Sequence, residues 1–135
     1  MNSAERFFDT NILLYLFSSD EDKANLAEEL LSDGATISVQ VLNEFAAVAT
    51  RKLHMSIADV REALVSITAV CKVVPLTLDV HEQGLRIAER YGFSIYDALI
   101  VSAALEAECK TLITEDLQHG QLIGQSLTVI NPFLS

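Results

Sequence analysis

Cysteine, proline and basic side chains are all scarce in this 135-residue sequence. Cys71 and Cys109 form no CxxC pair and have no histidine cluster at ligand spacing, which argues against a zinc site or a disulfide framework. No apolar run approaches the roughly 18 residues that a membrane span requires, and the acid-containing start MNSAERFFDTN is not typical of a signal peptide. We therefore expect a cytoplasmic protein without membrane attachment.

Basic residues are few, because nine Lys and Arg stand against 19 Asp and Glu, for a net charge of −10. This balance argues against broad electrostatic capture of nucleic acid or an anionic membrane, and it favours a basic partner. Total charge does not say where the acids lie. Several of them can converge on one site that attracts cations.

Motifs for nucleotide binding are missing as well. Neither GxGxxG nor GxxxxGK[ST] occurs, and the three histidines suggest no Ser-His-Asp arrangement. His54 and His81 are expected at the surface, and His119 in a solvated loop.

Hydrophobic residues make up 50% of the chain, which at this length predicts a single domain over residues 1–135. Short β-branched strands alternate with capped helices, so we expect a three-layer α/β/α domain with a mostly parallel sheet. The predicted strands are 7–8, 35–38, 72–77, 111–114 and 127–130; the predicted helices are 11–17, 20–31, 38–53, 56–71, 78–91 and one that begins at Ser94, with 117–124 as a short helix or loop. In such sheets ligands bind beyond the carboxyl ends of the strands.

The last of these helices, SIYDALIVSAALEA, contains an acid that requires an explanation. Residues 98–104 are apolar except for Ser102, so the helix is predicted to be buried nearly all round. An uncompensated charge at Asp97 is costly there.

Four acids are candidates for one site. Asp9 and Asp116 follow the first and fourth predicted strands, Asp97 lies in the first turn of its helix, and Glu44 lies on the apolar stripe of its helix. Each has a structural alternative: Asp9 and Asp116 as helix caps, Asp97 in a capping-box-like turn, and Glu44 in contact with solvent or an arginine.

Together, these carboxylates would repel one another unless cations neutralised them, so a divalent metal is the simplest explanation. Oxygen-only ligands favour Mg²⁺ or Mn²⁺. Such a metal polarises a phosphoryl oxygen and activates water for phosphodiester hydrolysis. Asn11 and Thr114 are close enough in sequence to orient the carboxylates or the water, although Thr114 can equally be an ordinary strand residue.

Four segments in this order, FFDTNILLY, SVQVLNEF, YDALIVSAAL and TLITEDLQHGQ, resemble the PIN-domain ribonucleases. Within that family, the chain looks like the toxins of VapBC-type toxin–antitoxin pairs, and the match spans essentially the whole sequence.

The resemblance implies a divalent-metal-dependent endoribonuclease with Asp9, Glu44, Asp97 and Asp116 as its catalytic metal ligands. It places Thr114 at the family's frequent Ser/Thr position and Asn11 beside the first acid. It also implies a homodimer inhibited by a small antitoxin that inserts a basic side chain into the acidic pocket.

Other details stay open at this point. Glu115 adjoins Asp116, and strand alternation leads us to choose Asp116. Tyr96 is expected in the core rather than as a platform for base stacking. RNA binding requires a local basic strip, for which Arg51, Lys52, Arg86 and Arg90 are the candidates.

The alternative functions are a phosphoryl-accepting receiver or phosphatase-like domain, and a catalytically silent binding module.

Overall fold

A computed structural model describes residues 5–134 and shows one six-stranded sheet with the strand order β3-β2-β1-β4-β6-β5. The strands are β1 (Arg6–Phe8), β2 (Ala35–Ser38), β3 (Cys71–Val74), β4 (Thr111–Ile113), β5 (Leu122–Ile123) and β6 (Leu127–Ile130). All neighbours are parallel except β5 and β6. The predicted mostly parallel α/β fold is therefore confirmed.

In the described part of the chain, six helices surround the sheet, and each begins after a residue whose side chain accepts a hydrogen bond from the first turn. They are α1 (Thr10–Tyr15), α2 (Glu21–Ser32), α3 (Val39–Arg51), α4 (Ile57–Val70), α5 (Leu78–Tyr91) and α6 (Ile95–Glu106). The N-caps are Asp9, Asp20, Ser38, Ser56, Thr77 and Ser94. Gly92, with φ 74°, ends α5 in the left-handed conformation that glycine adopts without strain.

The direction in which successive strands are added to the sheet changes at β1. The chain steps outward from β1 to β2 and β3, then crosses back to place β4 on the other side of β1. Because parallel crossovers are right-handed, the reversal puts α1 to α4 on one face of the sheet and α5 with α6 on the other. It also creates the switch point at which open α/β sheets bind ligands.

Register at this switch point makes the two central strands end level with each other. Phe8 lies opposite Ile113, and the backbone N–H of Asp9 donates to the carbonyl of Ile113 over 3.0 Å. The residues that follow β1 and β4 therefore emerge side by side at one edge.

The central part of helix α6 is buried on all sides, as its sequence predicts. Residues 98–104 are all buried, and the one hydroxyl among them, that of Ser102, donates a 2.8 Å hydrogen bond to the carbonyl of Val80. On α5, the ideal Cβ position of Gly84 lies only 2.9 Å from Leu99 Cδ2, so any side chain at this position must displace the end of Leu99 in the contact between the two helices.

Some predicted boundaries were wrong. The third strand ends at Val74 rather than continuing to residue 77, because Pro75 has no N–H to donate to the sheet. The segment 117–124 contains strand β5, which pairs antiparallel with β6 instead of forming a helix. Cys71 is partly buried and Cys109 is buried, and the two form no disulfide bond. Within residues 5–134, no helix is long and apolar enough to cross a membrane.

Candidate metal centre

Three of the four acids singled out in the sequence meet at the switch point. Asp9 follows β1, Asp116 lies three residues beyond the end of β4, and Asp97 lies in the first turn of α6. Each contributes a carboxylate oxygen to a group in which all three atoms lie within 4.8 Å of one another. Asp9 is only 4% exposed, whereas Asp97 is partly buried and Asp116 is exposed, so the group opens from the interior toward solvent.

Asn11 and Thr114 join the first and last of these acids through hydrogen bonds. Thr114 Oγ1 donates to Asp9 Oδ2 over 2.7 Å and accepts the backbone N–H of Asp116 at 3.0 Å. Asn11 Nδ2 donates to Asp116 Oδ2 over 2.9 Å and to Thr114 Oγ1 over 3.2 Å. Thr114 therefore contacts Asp9, and Asn11 contacts both Asp116 and Thr114.

Burial makes the Asp9 carboxylate hard to ionise. Desolvation is the largest cause that raises its pKa, from 3.8 to about 6, and the charges of Asp116 and Asp97 raise it further. Hydrogen bonds from Thr114 and from the backbone of Thr10 act in the opposite direction. Burial also raises the pKa of Asp97, against a hydrogen bond with Ser94, and the charge of Asp116 adds to the effect.

Glu44 is coupled to the group without being one of its three members. It lies partly buried on α3, where Gln40 Nε2 is 3.4 Å from its Oε2. Burial raises its pKa from 4.5 to about 7, followed by the charge of Asp9 and smaller contributions from Asp97 and Asp116. The carboxylate therefore faces the same region of negative charge.

No basic side chain compensates this charge in the described part of the chain, because none of the four acids forms an ion pair with Lys or Arg there. The donors that surround them are uncharged. In addition, Asn11 Oδ1 is buried without a hydrogen-bond partner among residues 5–134. Clustered carboxylates with an unused amide oxygen beside them fit a hard cation and its bound water, which prefer oxygen ligands.

Two of the four acids also take part in helix capping, which was the structural alternative to a role in metal binding. Asp9 does cap α1, since its Oδ1 accepts the N–H of Thr10 over 2.6 Å, and the N–H of Asp97 donates to Ser94 Oγ over 3.1 Å. Asp9 therefore caps its helix and still directs a carboxylate oxygen to the common group, whereas at Asp97 the capping bond uses the backbone N–H and not the carboxylate.

Neighbouring acidic and histidine side chains point elsewhere. The carboxylate of Glu115 accepts a short hydrogen bond from the hydroxyl of Tyr15, which supports the choice of Asp116. His119 is exposed, and its Nδ1 accepts the backbone N–H of Asn131 over 3.0 Å. His54 and His81 are exposed, as predicted.

Tyr96 was wrongly predicted to be a core residue. Its side chain is 63% exposed, because the second position of α6 lies outside the layer that buries residues 98–104. It lines a cavity of about 370 Å³ together with Glu44, Gln40, Asn43 and Arg51. Of the last three, only Arg51 was considered from the sequence, as part of a basic strip. The signal for Gln40 and Arg51 was their helical spacing from Glu44 on α3, and Asn43 lies three residues after Gln40.

The sequence matches a known protein family over most of its length. The sequence profile of the PIN domain matches residues 6–122. The chain belongs to the PIN-domain family. This PIN domain was predicted from its four sequence segments, and the prediction is confirmed.

Solved structures of low sequence identity share the PIN fold. A toxin–antitoxin complex from Klebsiella pneumoniae has a TM-score of 0.71 at 23% identity, covering 95% of this chain and 98% of that one. VapBC2 from Rickettsia felis, bound to a promoter DNA fragment, has a TM-score of 0.65 at 20% identity, with 93% and 98% covered. VapC20 from Mycobacterium tuberculosis, a toxin that cleaves the sarcin–ricin loop, has a TM-score of 0.63 at 20% identity, with 79% and 86% covered. A comparison with curated protein sequences finds no significant match.

Proposed function

We propose that this PIN domain is a divalent-metal-dependent endoribonuclease and the toxin of a toxin–antitoxin pair, with an active site formed by Asp9, Glu44, Asp97 and Asp116. The observation that carries the proposal is the approach of three carboxylates to within 4.8 Å of one another without a basic partner in residues 5–134. Such a group is unfavourable in a protein without a cation to balance it.

Asp9, Asp97 and Asp116 would hold Mg²⁺ or Mn²⁺, since all three offer carboxylate oxygens. When bound, the cation supplies a Lewis acid that polarises a phosphoryl oxygen and lowers the pKa of water. Thr114 and Asn11 hold the carboxylates of Asp9 and Asp116 in fixed orientations through their hydrogen bonds. This fixed geometry reduces the reorganisation required when the substrate binds.

Glu44 would act as the residue that exchanges a proton with the attacking water. Its carboxylate faces the three-acid group, and in the metal-free protein its pKa is raised to about 7, near the pH at which a carboxylate can accept a proton. Gln40 donates to one of its oxygens and leaves the other available.

The structural neighbours supply the biological context of the proposal, because they include two toxin–antitoxin complexes and a toxin that cleaves the sarcin–ricin loop. The net charge of −10 suits a small antitoxin that neutralises the toxin with a basic segment. We propose that the protein acts in the cytoplasm as a homodimer, and that the chain forms a single domain.

Cleavage of a panel of structured RNAs by antitoxin-free protein tests the proposal. We expect cleavage with Mg²⁺ or Mn²⁺ and none with excess chelator. Asp116→Asn should lose the activity, whereas Glu115→Gln, which removes the same charge from the adjacent residue, should keep it.

Two outcomes would contradict this function. Cleavage that continues in chelator would exclude the metal, and equal activity of Asp116→Asn and wild type would exclude the proposed ligand set. RNA that stays intact under every condition, with normal antitoxin binding, would instead favour a silent binding module.

A further inference from the structure

The cavity between α3 and the start of α6 lies directly beside the acidic group, because Glu44 belongs to its wall. Gln40, Asn43 and Arg51 extend the wall along α3, and Tyr96 closes it from α6. A volume of about 370 Å³ is within the range of about 300–1,000 Å³ that small-molecule sites occupy.

Helical geometry explains why these side chains share one surface. Positions 40, 43, 44, 47, 48 and 51 form a continuous stripe along α3, and Ala47 with Val48 provides an apolar floor between the polar residues. Within this stripe, the backbone positions of Glu44 and Arg51 are separated by a rise of roughly 10 Å along the helix axis.

Tyr96 contributes an aromatic ring that the fold does not use for packing. It is 63% exposed and immediately precedes Asp97, one of the three clustered acids. Exposed aromatic rings next to a nucleic-acid site are platforms on which bases stack, and each such contact accounts for a substantial part of single-strand binding.

Among residues 5–134, Arg51 is the only basic residue that lines this cavity. In residues 5–134 it forms no ion pair, so its charge is available, unlike that of Arg86, which pairs with Glu82 over 3.2 Å. Arg90 lies over the ring of Tyr91 instead. A free guanidinium beside a strongly acidic site is what an RNA backbone requires in order to approach this protein.

We propose that this cavity binds the nucleotide adjacent to the cleaved phosphodiester. Tyr96 stacks on its base, Gln40 and Asn43 hydrogen-bond to the base edge, and Arg51 contacts its phosphate. The inference rests on the proposed ribonuclease function, and it identifies the residues that determine which RNA sequence is cleaved.

The test measures cleavage and binding separately on single-stranded RNA oligonucleotides. Tyr96→Leu should raise KM at least fivefold at nearly unchanged kcat, whereas Tyr96→Phe, which keeps the ring, should remain within twofold of wild type. A 2-aminopurine base beside the cleavage site should be quenched on binding, with Ca²⁺ replacing Mg²⁺, by wild type but not by Tyr96→Leu.

Two further variants separate the phosphate contact from the base contact. Arg51→Gln should weaken binding of all sequences alike and reduce the slope of log affinity against log salt by about one, whereas Asn43→Ala should relax the preference at one base position. Arg61→Gln, an equivalent change at an exposed position outside this cavity, should alter neither property.

The outcomes distinguish this inference from the proposed function. If wild type cleaves RNA and Tyr96→Leu has the wild-type KM and fluorescence quenching, the cavity does not bind the nucleotide. If Tyr96→Leu weakens only antitoxin binding, the cavity is a protein-binding surface and the inference is wrong. If wild type cleaves no RNA, the proposed function fails, and the quenching measurement alone decides whether the cavity binds a base.

Discussion

The hydroxyl of Thr114 donates a 2.7 Å hydrogen bond to the carboxylate of Asp9, across 105 residues of sequence and between two adjacent central strands. This bond lowers the pKa of Asp9 against the larger effect of burial, which raises it. It therefore favours the ionised carboxylate that a metal ion requires.

Thr114→Val is expected to weaken Mn²⁺ binding by roughly 10- to 100-fold, the usual cost of removing a group that orients a metal ligand. Valine preserves the shape of the side chain but leaves Asp9 Oδ2 without this donor. Isothermal titration calorimetry measures the affinity. Thr114→Ser keeps the hydroxyl and should stay close to wild type; a valine variant with wild-type affinity would remove Thr114 from the centre.

Asp97→Asn is expected to abolish metal-dependent cleavage while leaving the metal-free protein as stable as wild type or more stable. The substitution removes one of three charges that repel one another, and asparagine can keep the hydrogen bond with Ser94. Urea unfolding in chelator measures this stability. A marked loss of stability would mean that the carboxylate has a structural role.

Addition of Mn²⁺ provides an independent measurement on the same variant. At about 100 times its dissociation constant, the ion should stabilise wild type by ~2.7 kcal/mol, which corresponds to a rise in Tm of roughly 10 °C. Asp97→Asn should show a much smaller rise, and equal shifts in both proteins would place the binding site elsewhere.

The metal-free protein is expected to lose stability as the pH rises from about 4 to about 7. The folded-state pKa values of Asp9, about 6, and Glu44, about 7, lie above the ordinary values of 3.8 and 4.5. In this range the folded state retains protons that the unfolded state has released, so the stabilisation present below pH 4 is lost as the two groups ionise. For Asp9 alone, the change is on the order of 3 kcal/mol.

Chemical unfolding in chelator at several pH values measures this dependence. The double variant Asp9→Asn, Glu44→Gln should flatten it, and saturating Mn²⁺ should reverse its sign near neutral pH because the ion binds the ionised carboxylates. A metal-free wild type that becomes more stable between pH 4 and 7 would contradict the assigned pKa shifts.

Gly84→Val is expected to destabilise the fold by about 1–3 kcal/mol, because a side chain there must displace Leu99 in the contact between α5 and α6. Gly84→Ala should be nearly neutral, since the closest atom is the flexible end of Leu99 and alanine favours the helix. Gln83→Val, at an exposed neighbouring position, controls for the helix propensity of valine. Thermal unfolding compares the three variants.

Helix boundaries were predictable where a single residue determines them. The caps Ser38, Ser56, Thr77 and Ser94 all accept a backbone N–H as expected, and Gly92 ends α5. Strand β5 was not predictable in the same way. Its two residues pair with β6 only through tertiary contact, and no local pattern marks so short a segment.

The candidate site could be assembled from sequence because three of its acids follow strand ends or begin a helix at the same edge of the sheet. Side-chain direction was harder to predict. Tyr96 lies next to the apolar run of α6, and local composition alone predicts that it is in the core. In the structure it belongs to the first turn of the helix, where its side chain is exposed. The hydrogen bond that joins Asn11 to Asp116 likewise depends on strand register.

The burial of α6 restricts how this protein can change during evolution. Because residues 98–104 are buried on all sides, substitutions among them disturb the packing of the core and are therefore costly. The helix that carries Asp97 is thus difficult to change. Helix α3 has exposed positions, such as Asn43, Ala47 and Arg51, and can vary without that penalty. Related proteins should therefore differ in their RNA targets through substitutions on α3, while α6 keeps the metal-binding carboxylate in place.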